Sequence, residues 1–469
     1  MPYKDFWTLY APGQFYITAA VFNIFGVSIK IARIFAVIIL SLTCCGVYFL
    51  VRRICPKLFA VLAFLFSLAL FKSYMVYNRP GQLAILFFAL SCFAVLNYLK
   101  FKRPVWLVTT GILVGVTGLF RQDFGFYIFI PVFLLILLKG KNQQERSGLI
   151  LRNELLFFLG FLLAALPLLI YFVFHSALGE FINDAVIFPI TTYSRVRDLP
   201  FPAFSLANSI FYAPLFIFLL TGIRLLSYNW RDKIDDTGAW MRLFLLFVGL
   251  GLFNYTNIRA HLGSLLPTMI PAIILFICLL DDFLSRFAKI RVIALVAFFI
   301  ISFILIFYST GPAFKRAECL SADKIKSKLD IARAEGFYDD SELAQSQASA
   351  IRYIQANTGK SDKIFVGNLR HDRVVNSDVM FYFLAERNSA TKYYELHPGL
   401  TNTEKIQKEI TGELTKSGVR YIILWSGSED ISEPNESNKS SGITELDDYI
   451  RKNYKTDKIF GAYLILKHV

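Results

Sequence analysis

The chain has 469 residues, 55% of them hydrophobic and only 18% charged, with 47 phenylalanines and a mean hydropathy of +0.50. A soluble domain is about 45–50% apolar and about one quarter charged, so this composition excludes an ordinary soluble enzyme and points to a body embedded in a membrane. The net charge of +14 raises nucleic acid as a partner, but residues 1–310 hold 26 Lys+Arg against 12 Asp+Glu while 311–469 hold 23 of each. Nucleic-acid binding needs a basic face on a soluble part; here the excess lies among apolar segments, where loop charges set orientation, and no nucleic-acid partner is expected.

In chain order, MPYKDFW does not have the form of a cleavable signal peptide. Residues 1–28 read as an outer first-loop remnant, with 12–27 as a helix lying at the membrane surface. Apolar runs long enough, or nearly so, to span a ~30 Å hydrocarbon core occupy 29–50, 56–76, 81–99, 104–120, 123–138, 154–175, 205–227, 239–257, 264–280 and 291–309, the run 123–138 being the weakest. The predicted fold is an α-helical polytopic membrane domain of about ten transmembrane helices over 29–310, followed by a small α/β domain over 315–469.

Alternate linkers differ in charge. Seventeen Lys and Arg lie on one side, among them Arg52, Arg53, Lys100, Arg103, Lys141, Arg152, Arg231, Lys233, Arg242, Lys289 and Arg291. Six lie on the other, namely Lys4, Arg79, Arg121, Arg195, Arg197 and Arg259, or nine with Lys30, Arg33 and Lys72. The positive-inside rule puts the first set in the cytoplasm. Both termini and the C-terminal domain then lie outside a cell inner or plasma membrane. Because residues 1–28 would have to cross with no helix to carry them, an upstream membrane helix is expected, and this form is expected to be truncated and inactive.

The long outer loop 176–204 mixes aromatic and apolar residues with Glu180, Asp184, Arg195, Arg197 and Asp198, as an interfacial segment does. In the C-terminal part, strand-like 363–367, 421–425 and 462–467 alternate with helix-like 341–357, 402–417 and 443–453, which predicts a small, partly parallel sheet. Residues 426–442 read as a mobile loop. Six cysteines, Cys319 among them, show no C-x-x-C spacing, so neither a zinc site nor a disulfide scaffold is predicted.

Candidate chemistry gathers on the outer side. Asp5, Asp123, Glu180, Asp184 and Asp198 stand beside Lys4, Arg79, Arg121, Arg195, Arg197, Arg259 and His261. A carboxylate at the lipid–water boundary can act as general base, and clustered Arg and His can hold a phosphate by charge-assisted hydrogen bonds. Bland readings stand beside these. Asp5 is also a solvated loop acid or helix cap, Arg121 with Asp123 an interfacial ion pair, and Arg79 a snorkelling side chain. Arg259 and His261 equally suit interfacial anchoring, and Arg195 and Arg197 headgroup contacts.

The opening PYKDFWTLYAPGQFYITAAVFNIFGVSIKIAR resembles the first outer loop of GT-C superfamily glycosyltransferases, in particular the family 39 group related to protein O-mannosyltransferases and the lipid A aminoarabinose transferase. The matching positions are Pro2, Tyr3, Asp5, Pro12, Gly13, Phe25, Gly26 and Arg33, followed by YNRP (77–80), FRQDFG (120–125), the Arg259–His261 stretch and FYFLAERNSATKYYELHPG (381–399). The resemblance implies a transferase that moves a sugar, with inversion, from a polyprenyl-phosphate donor to a lipid, glycan or protein acceptor outside the membrane. It implies Asp5 or Asp123 as catalytic carboxylate, with the family's own base upstream of Met1, and Lys4, Arg79, Arg121, Arg259 and His261 as ligands of the carrier phosphate. Arg195 and Arg197 would belong to the acceptor or lipid loop. No cofactor is named and no metal ligands are assigned, a divalent metal being left open. Tyr10 and Ala11 stand where the aminoarabinose transferase has a lysine before its proline pair, and no Trp-Trp-Asp occurs, unlike in oligosaccharyltransferases. The rival expectations are a polytopic transporter or lipid flippase, and a non-catalytic membrane-anchored binding protein. Matching interrupted segments in two halves, the mark of many transporters, are not seen.

Overall fold

The computed structural model describes residues 1–72, 80–228, 230, 236–287, 292–304, 329–335 and 341–469. Arg79, Arg231, Lys233, Lys289, Arg291 and Cys319 lie outside them.

Helix α1 (Gly13–Phe25) is the short first-loop helix expected at 12–27. Ten apolar helices follow at the ten predicted runs: α2 (Ile29–Arg52), α3 (Lys57–Phe71), α4 (Pro80–Phe101), α5 (Val105–Phe120), α6 (Gln122–Asn142), α7 (Ser147–Phe174), α10 (Ser209–Leu226), α11 (Thr237–Ile258), α12 (Leu262–Leu284) and α13 (Val292–Ile304). Among the described residues seven of them, α2, α4, α6, α7, α10, α11 and α12, are each long and apolar enough to cross a membrane. The weakest run, 123–138, becomes a 21-residue helix because the helix continues past its apolar stretch through Lys139, Lys141 and Asn142.

Local chemistry sets several starts. Ser28 Oγ accepts from Ile31 N at 3.2 Å to cap α2, and Asp236 accepts from Gly238 N and Ala239 N to cap α11. On α7, Leu151, Leu155, Leu159, Leu163, Leu166 and Ile170 form an exposed stripe, a face that only lipid would cover. The opposite face meets α5 at backbone contact. A Cβ on Gly111 would sit 2.0 Å from the Phe157 carbonyl oxygen, and one on Gly160 would sit 2.1 Å from that of Val108. Small residues at such crossings let helices approach closely inside a membrane. At the end of the bundle remote from the C-terminal domain, Arg242 donates to Asp282 at 2.6 and 2.9 Å, tying α11 to α12.

The linker 176–204 coils rather than spans: α8 (Leu178–Ile182) runs into two π-helical turns, Asn183–Ile187 and Pro189–Tyr193, and then α9 (Ser194–Val196). Ile190 and Phe204 in it stay exposed.

The C-terminal domain holds α14 (Glu342–Asn357), β1 (Lys363–Asn368), α15 (Met380–Ala385), β2 (Asn388–Ser389), α16 (Glu404–Ser417), β3 (Tyr421–Trp425), α17 (Glu445–Asn453), β4 (Tyr454–Phe460) and β5 (Tyr463–His468). Strand order is β2-β1-β3-β5-β4. β1 lies parallel to β2 and β3, with Phe365 opposite Ile422, and β5 runs antiparallel to β3 and β4. β1 and β3 are buried on both faces. Phe365, Ile422 and Leu424 pack with Ile406, Ile410 and Leu446, whereas Ile364, Val366 and Ile423 pack with Ile351, Ile354 and Phe381. This two-sided burial is why those strands read as unbroken apolar runs. Strands β2 and β4 escape the sequence reading. The first has two residues, and the second is an edge strand carrying Lys455 and Lys458, a polar pattern that protects an edge.

The loop 426–442, expected to be mobile, makes contacts across the domain junction. Glu433 is gripped by Arg259 at 2.6 and 3.0 Å, and Asn435 Nδ2 donates to Asp198 O at 2.8 Å. Its polar composition reflects partners in the linker, not an absence of partners. The two domains also share an apolar core: Trp7, Leu9 and Phe188 are buried with Tyr393 and Leu396, and Trp7 N donates to Lys392 O at 2.9 Å.

Candidate active site

Two helix corners supply the basic residues. Arg121 is extended (φ −147°, ψ 104°) between α5 and α6, and Arg259 is extended (φ −141°, ψ 91°) between α11 and α12. Each corner turns one apolar helix into the next with an arginine at the bend, so both guanidinium groups sit where the bundle meets the C-terminal domain. Arg197, just past α9, joins them, since Arg259 Nη1 donates to Arg197 O at 2.5 Å.

Every one of these cations is engaged. Arg121 donates through Nε and Nη2 to Asp123, 2.9 Å for Nε, and lies 4.9 Å from the Tyr255 ring centre and 5.5 Å from that of Tyr10, which is cation–π geometry. Glu433 bridges Arg259 and Arg197, the latter at 3.1 Å, and Arg197 also donates to Val375 O at 2.8 Å. The guanidinium groups keep donors in reserve, five N–H each: Arg197 Nε is buried with no hydrogen-bond partner among the described residues.

Tyr10, Tyr193 and Tyr255 complete the walls, all half-buried. Burial pushes the Tyr10 and Tyr193 phenols up, and for both the neighbouring arginines pull partly the other way. They therefore stay neutral donors. From the C-terminal domain comes Glu395. It is exposed and makes no hydrogen bond or ion pair among the described residues. Desolvation nevertheless raises its pKa, partly offset by Arg197. Two residues on, His397 is buried against Trp7, Phe188 and Tyr193. Burial holds its pKa down to about 3, with Arg197 and Arg259 adding to the effect and its bond to Pro398 O opposing it. It is a neutral wedge in the domain junction.

The remaining expected residues fall elsewhere. Asp5 has a side chain 68% exposed and pairs with the Met1 amino group, which holds its carboxyl below the usual range; among the described residues no contact joins it to Arg121, Arg259 or His261. Lys4 donates to His175 O at 3.2 Å. His261 caps α12: its Nδ1 accepts from Ser264 N at 2.9 Å. Arg195 lines an open polar cleft of about 730 Å³ with Asp198, Glu433, Asn435, Glu436 and Lys439, on the outer flank of the arginine cluster. Asp184 is buried and accepts from Asn183 Nδ2 at 2.9 Å. Among the described residues no group of three His, Cys, Asp or Glu side chains is placed to hold a metal ion.

Sequence reasoning thus missed Tyr193, Tyr255, Glu395 and Glu433. Glu395 lay inside the quoted stretch 381–399 but carried no mark separating it from Glu386. Glu433 lay in a segment whose composition reads as loop.

Residues 10–178 match the family model described as dolichyl-phosphate-mannose-protein mannosyltransferase. Among curated proteins no sequence matches. Of solved structures, ArnT from Cupriavidus metallidurans bound to undecaprenyl phosphate is similar, with TM-score 0.55 and 15% identity over 99% of this chain and 88% of that one. Its apo state gives TM-score 0.54 at the same coverage. The Archaeoglobus fulgidus oligosaccharyltransferase tethered with an acceptor peptide gives TM-score 0.50 and 13% identity over 90% of this chain and 62% of that one. The amino-terminal match and a fold shared over nearly the whole chain agree with the resemblance seen in the first loop: over residues 10–178 the sequence is similar to the protein mannosyltransferase family, and the architecture is that of ArnT.

Proposed function

We propose that the protein transfers a sugar, with inversion, from a polyprenyl-phosphate donor to a lipid, glycan or protein acceptor on the outer side of a cell membrane. The observation that carries this is the convergence of Arg121, Arg197 and Arg259 with three tyrosines at the seam between bundle and C-terminal domain. A carrier lipid presents its phosphate at that depth, its chain lying along apolar helices and its sugar projecting toward the polar domain. That ArnT was captured with undecaprenyl phosphate in the same fold supports the choice of carrier.

The chemistry follows from charge. An acceptor oxygen attacks the anomeric carbon from the face opposite the phosphate. The C–O bond to phosphate breaks, and its electron pair leaves on the carrier phosphate. Negative charge grows on that phosphate in the transition state, where fixed guanidinium and phenol donors stabilise it most. Asp123 and Glu433 hold the arginines in place before the lipid arrives, and phosphate oxygens then accept from the donors they leave over. The cleft beside Arg195 and Asp198 is the entrance we assign to the acceptor.

Arg121→Ala and Arg259→Ala are the direct test. Each should weaken binding of undecaprenyl phosphate by about 2–5 kcal/mol, the usual cost of removing one partner of a buried charged hydrogen bond. Titration of purified protein, checked for a monodisperse profile, reads this. Unchanged affinity in both well-folded variants would refute the assignment.

A further inference from the structure

We infer that the trough between α10 and α12, at the end of the bundle remote from the C-terminal domain, is a binding site for one anionic phospholipid of the surrounding bilayer. It stands apart from the transferase reading, whose carrier phosphate lies at the opposite end beside Arg121 and Arg259. The trough has a volume of about 640 Å³ and is walled by Phe216, Leu220 and Ile223 of α10 and by Phe276 and Phe283 of α12. Phe216, Ile223 and Phe283 are 61%, 52% and 58% exposed on helices long and apolar enough to cross a membrane, so hydrocarbon is what fills the space between them. Along α10 the lining runs from Ala213 to Arg224. At ~1.5 Å per residue that is about 16 Å, or half of a ~30 Å hydrocarbon core, the reach of one leaflet's acyl chain.

The mouth of the trough is basic. Arg224 and Arg286 both line it, both are exposed, and among the described residues neither side chain makes a hydrogen bond. The one acid among the described lining residues is Asp282, and its two oxygens already accept from Arg242 at 2.6 and 2.9 Å. Arg224 approaches that carboxylate only through Nε, at 3.6 Å, too far for a hydrogen bond. Two guanidinium groups with donors to spare, above an apolar trough, match a phosphodiester headgroup above an acyl chain. Basic pockets between spans select anionic lipids in this way, whereas a zwitterionic headgroup brings its own cation to the arginines and gains less. A second copy of the chain is the weaker occupant. A twofold interface uses the same patch on both subunits, so it would set Arg224 and Arg286 against their own counterparts.

The test uses the whole chain in a mild non-ionic detergent, titrated with dioleoyl-phosphatidylglycerol or dioleoyl-phosphatidylcholine and read by native mass spectrometry. The wild type should bind one phosphatidylglycerol at least about tenfold more tightly than phosphatidylcholine, given two basic residues at the headgroup. Arg224→Gln with Arg286→Gln should abolish that preference, and Arg224→Lys with Arg286→Lys should keep most of it. Arg103→Gln removes a charge from the same end that does not line the trough and should change nothing. Leu220→Trp fills the trough, leaves both arginines in place, and should weaken phosphatidylglycerol binding. Each variant is checked for a wild-type melting temperature. Equal binding of the two phospholipids by the wild type would overturn the inference, as would a preference that survives in the double glutamine variant. A double glutamine variant that loses undecaprenyl phosphate but keeps phosphatidylglycerol would give the trough to the carrier, and a lipid-independent dimer disrupted by Leu220→Trp would give it to a second copy; either result also overturns the inference.

Discussion

Arg121, Arg259 and His397 show how much of a residue's role its neighbours decide. The two arginines were legible in the sequence because charge beside long apolar runs stands out, and a corner between two spans is where such a charge can sit cheaply. Their engagement with Asp123 and Glu433 was only half legible: Asp123 is two residues away, whereas Glu433 is 174 residues along the chain from Arg259. His397 gave no signal, because a lone histidine in a polar stretch looks solvated. Its burial makes a prediction. The folded protein resists protonating it until about pH 3, whereas the unfolded chain binds that proton near 6.5. The unfolded state therefore holds more protons between those values. Stability from this group is complete above pH 6.5 and falls as pH drops, by up to about 1.4 kcal/mol per unit. The difference in melting temperature between wild type and His397→Phe should shrink or change sign as pH is lowered from 7 to 5. A difference that stays constant would show that His397 does not titrate this way.

At the scale of elements, the membrane helices were legible because each apolar run is continuous and its ends are marked by charge or proline. The short strands were not, since β2 is two residues long and β4 is polar on its open side. What the runs do not disclose is which helices touch. Gly111 and Gly115 on α5 are spaced as a close-packing pair, and the partner on α7 is Gly160. A side chain at Gly160 would collide with the backbone of α5, which cannot rotate aside as a side chain could. Gly160→Val should therefore cost well over the ~1–3 kcal/mol typical of an overpacked core, seen as lost monodispersity and a lower melting temperature. Gly222 on α10 has nothing within 4 Å of where a Cβ would lie, so Gly222→Ala should be neutral or slightly stabilising. Equal tolerance at both positions would mean that α5 and α7 are not in backbone contact.

For the whole molecule, the arginine cluster is closed only where two domains meet, with Arg259 and Arg197 on one side and Glu433 on the other. Bundle corners bring arginines, the first loop brings Tyr10, and the C-terminal domain brings Glu433; Glu433 carried no sequence signal, since docking of one domain on another follows from no local pattern. The same assembly sorts the charges by end. At the domain end lie Arg121, Arg195, Arg197 and Arg259. Chain alternation puts Arg52, Arg53, Lys100, Arg103, Lys141, Arg152, Arg242 and Arg286 at the other. By the positive-inside rule the crowded end is the one expected in the cytoplasm; under the proposed function, the arginine cluster at the sparse end would then receive lipid-linked sugar from the outer leaflet. Single cysteines introduced into 143–146 and into 436–441 test this with a membrane-impermeant maleimide on whole spheroplasts. In a background with Cys45 and Cys319 removed, the second should label directly and the first only after permeabilisation. Labelling of 143–146 in intact cells, with 436–441 protected, would turn the molecule over. The arginine cluster would then face the cytoplasm, and transfer to an outer acceptor would be ruled out whatever the fate of Arg121 and Arg259.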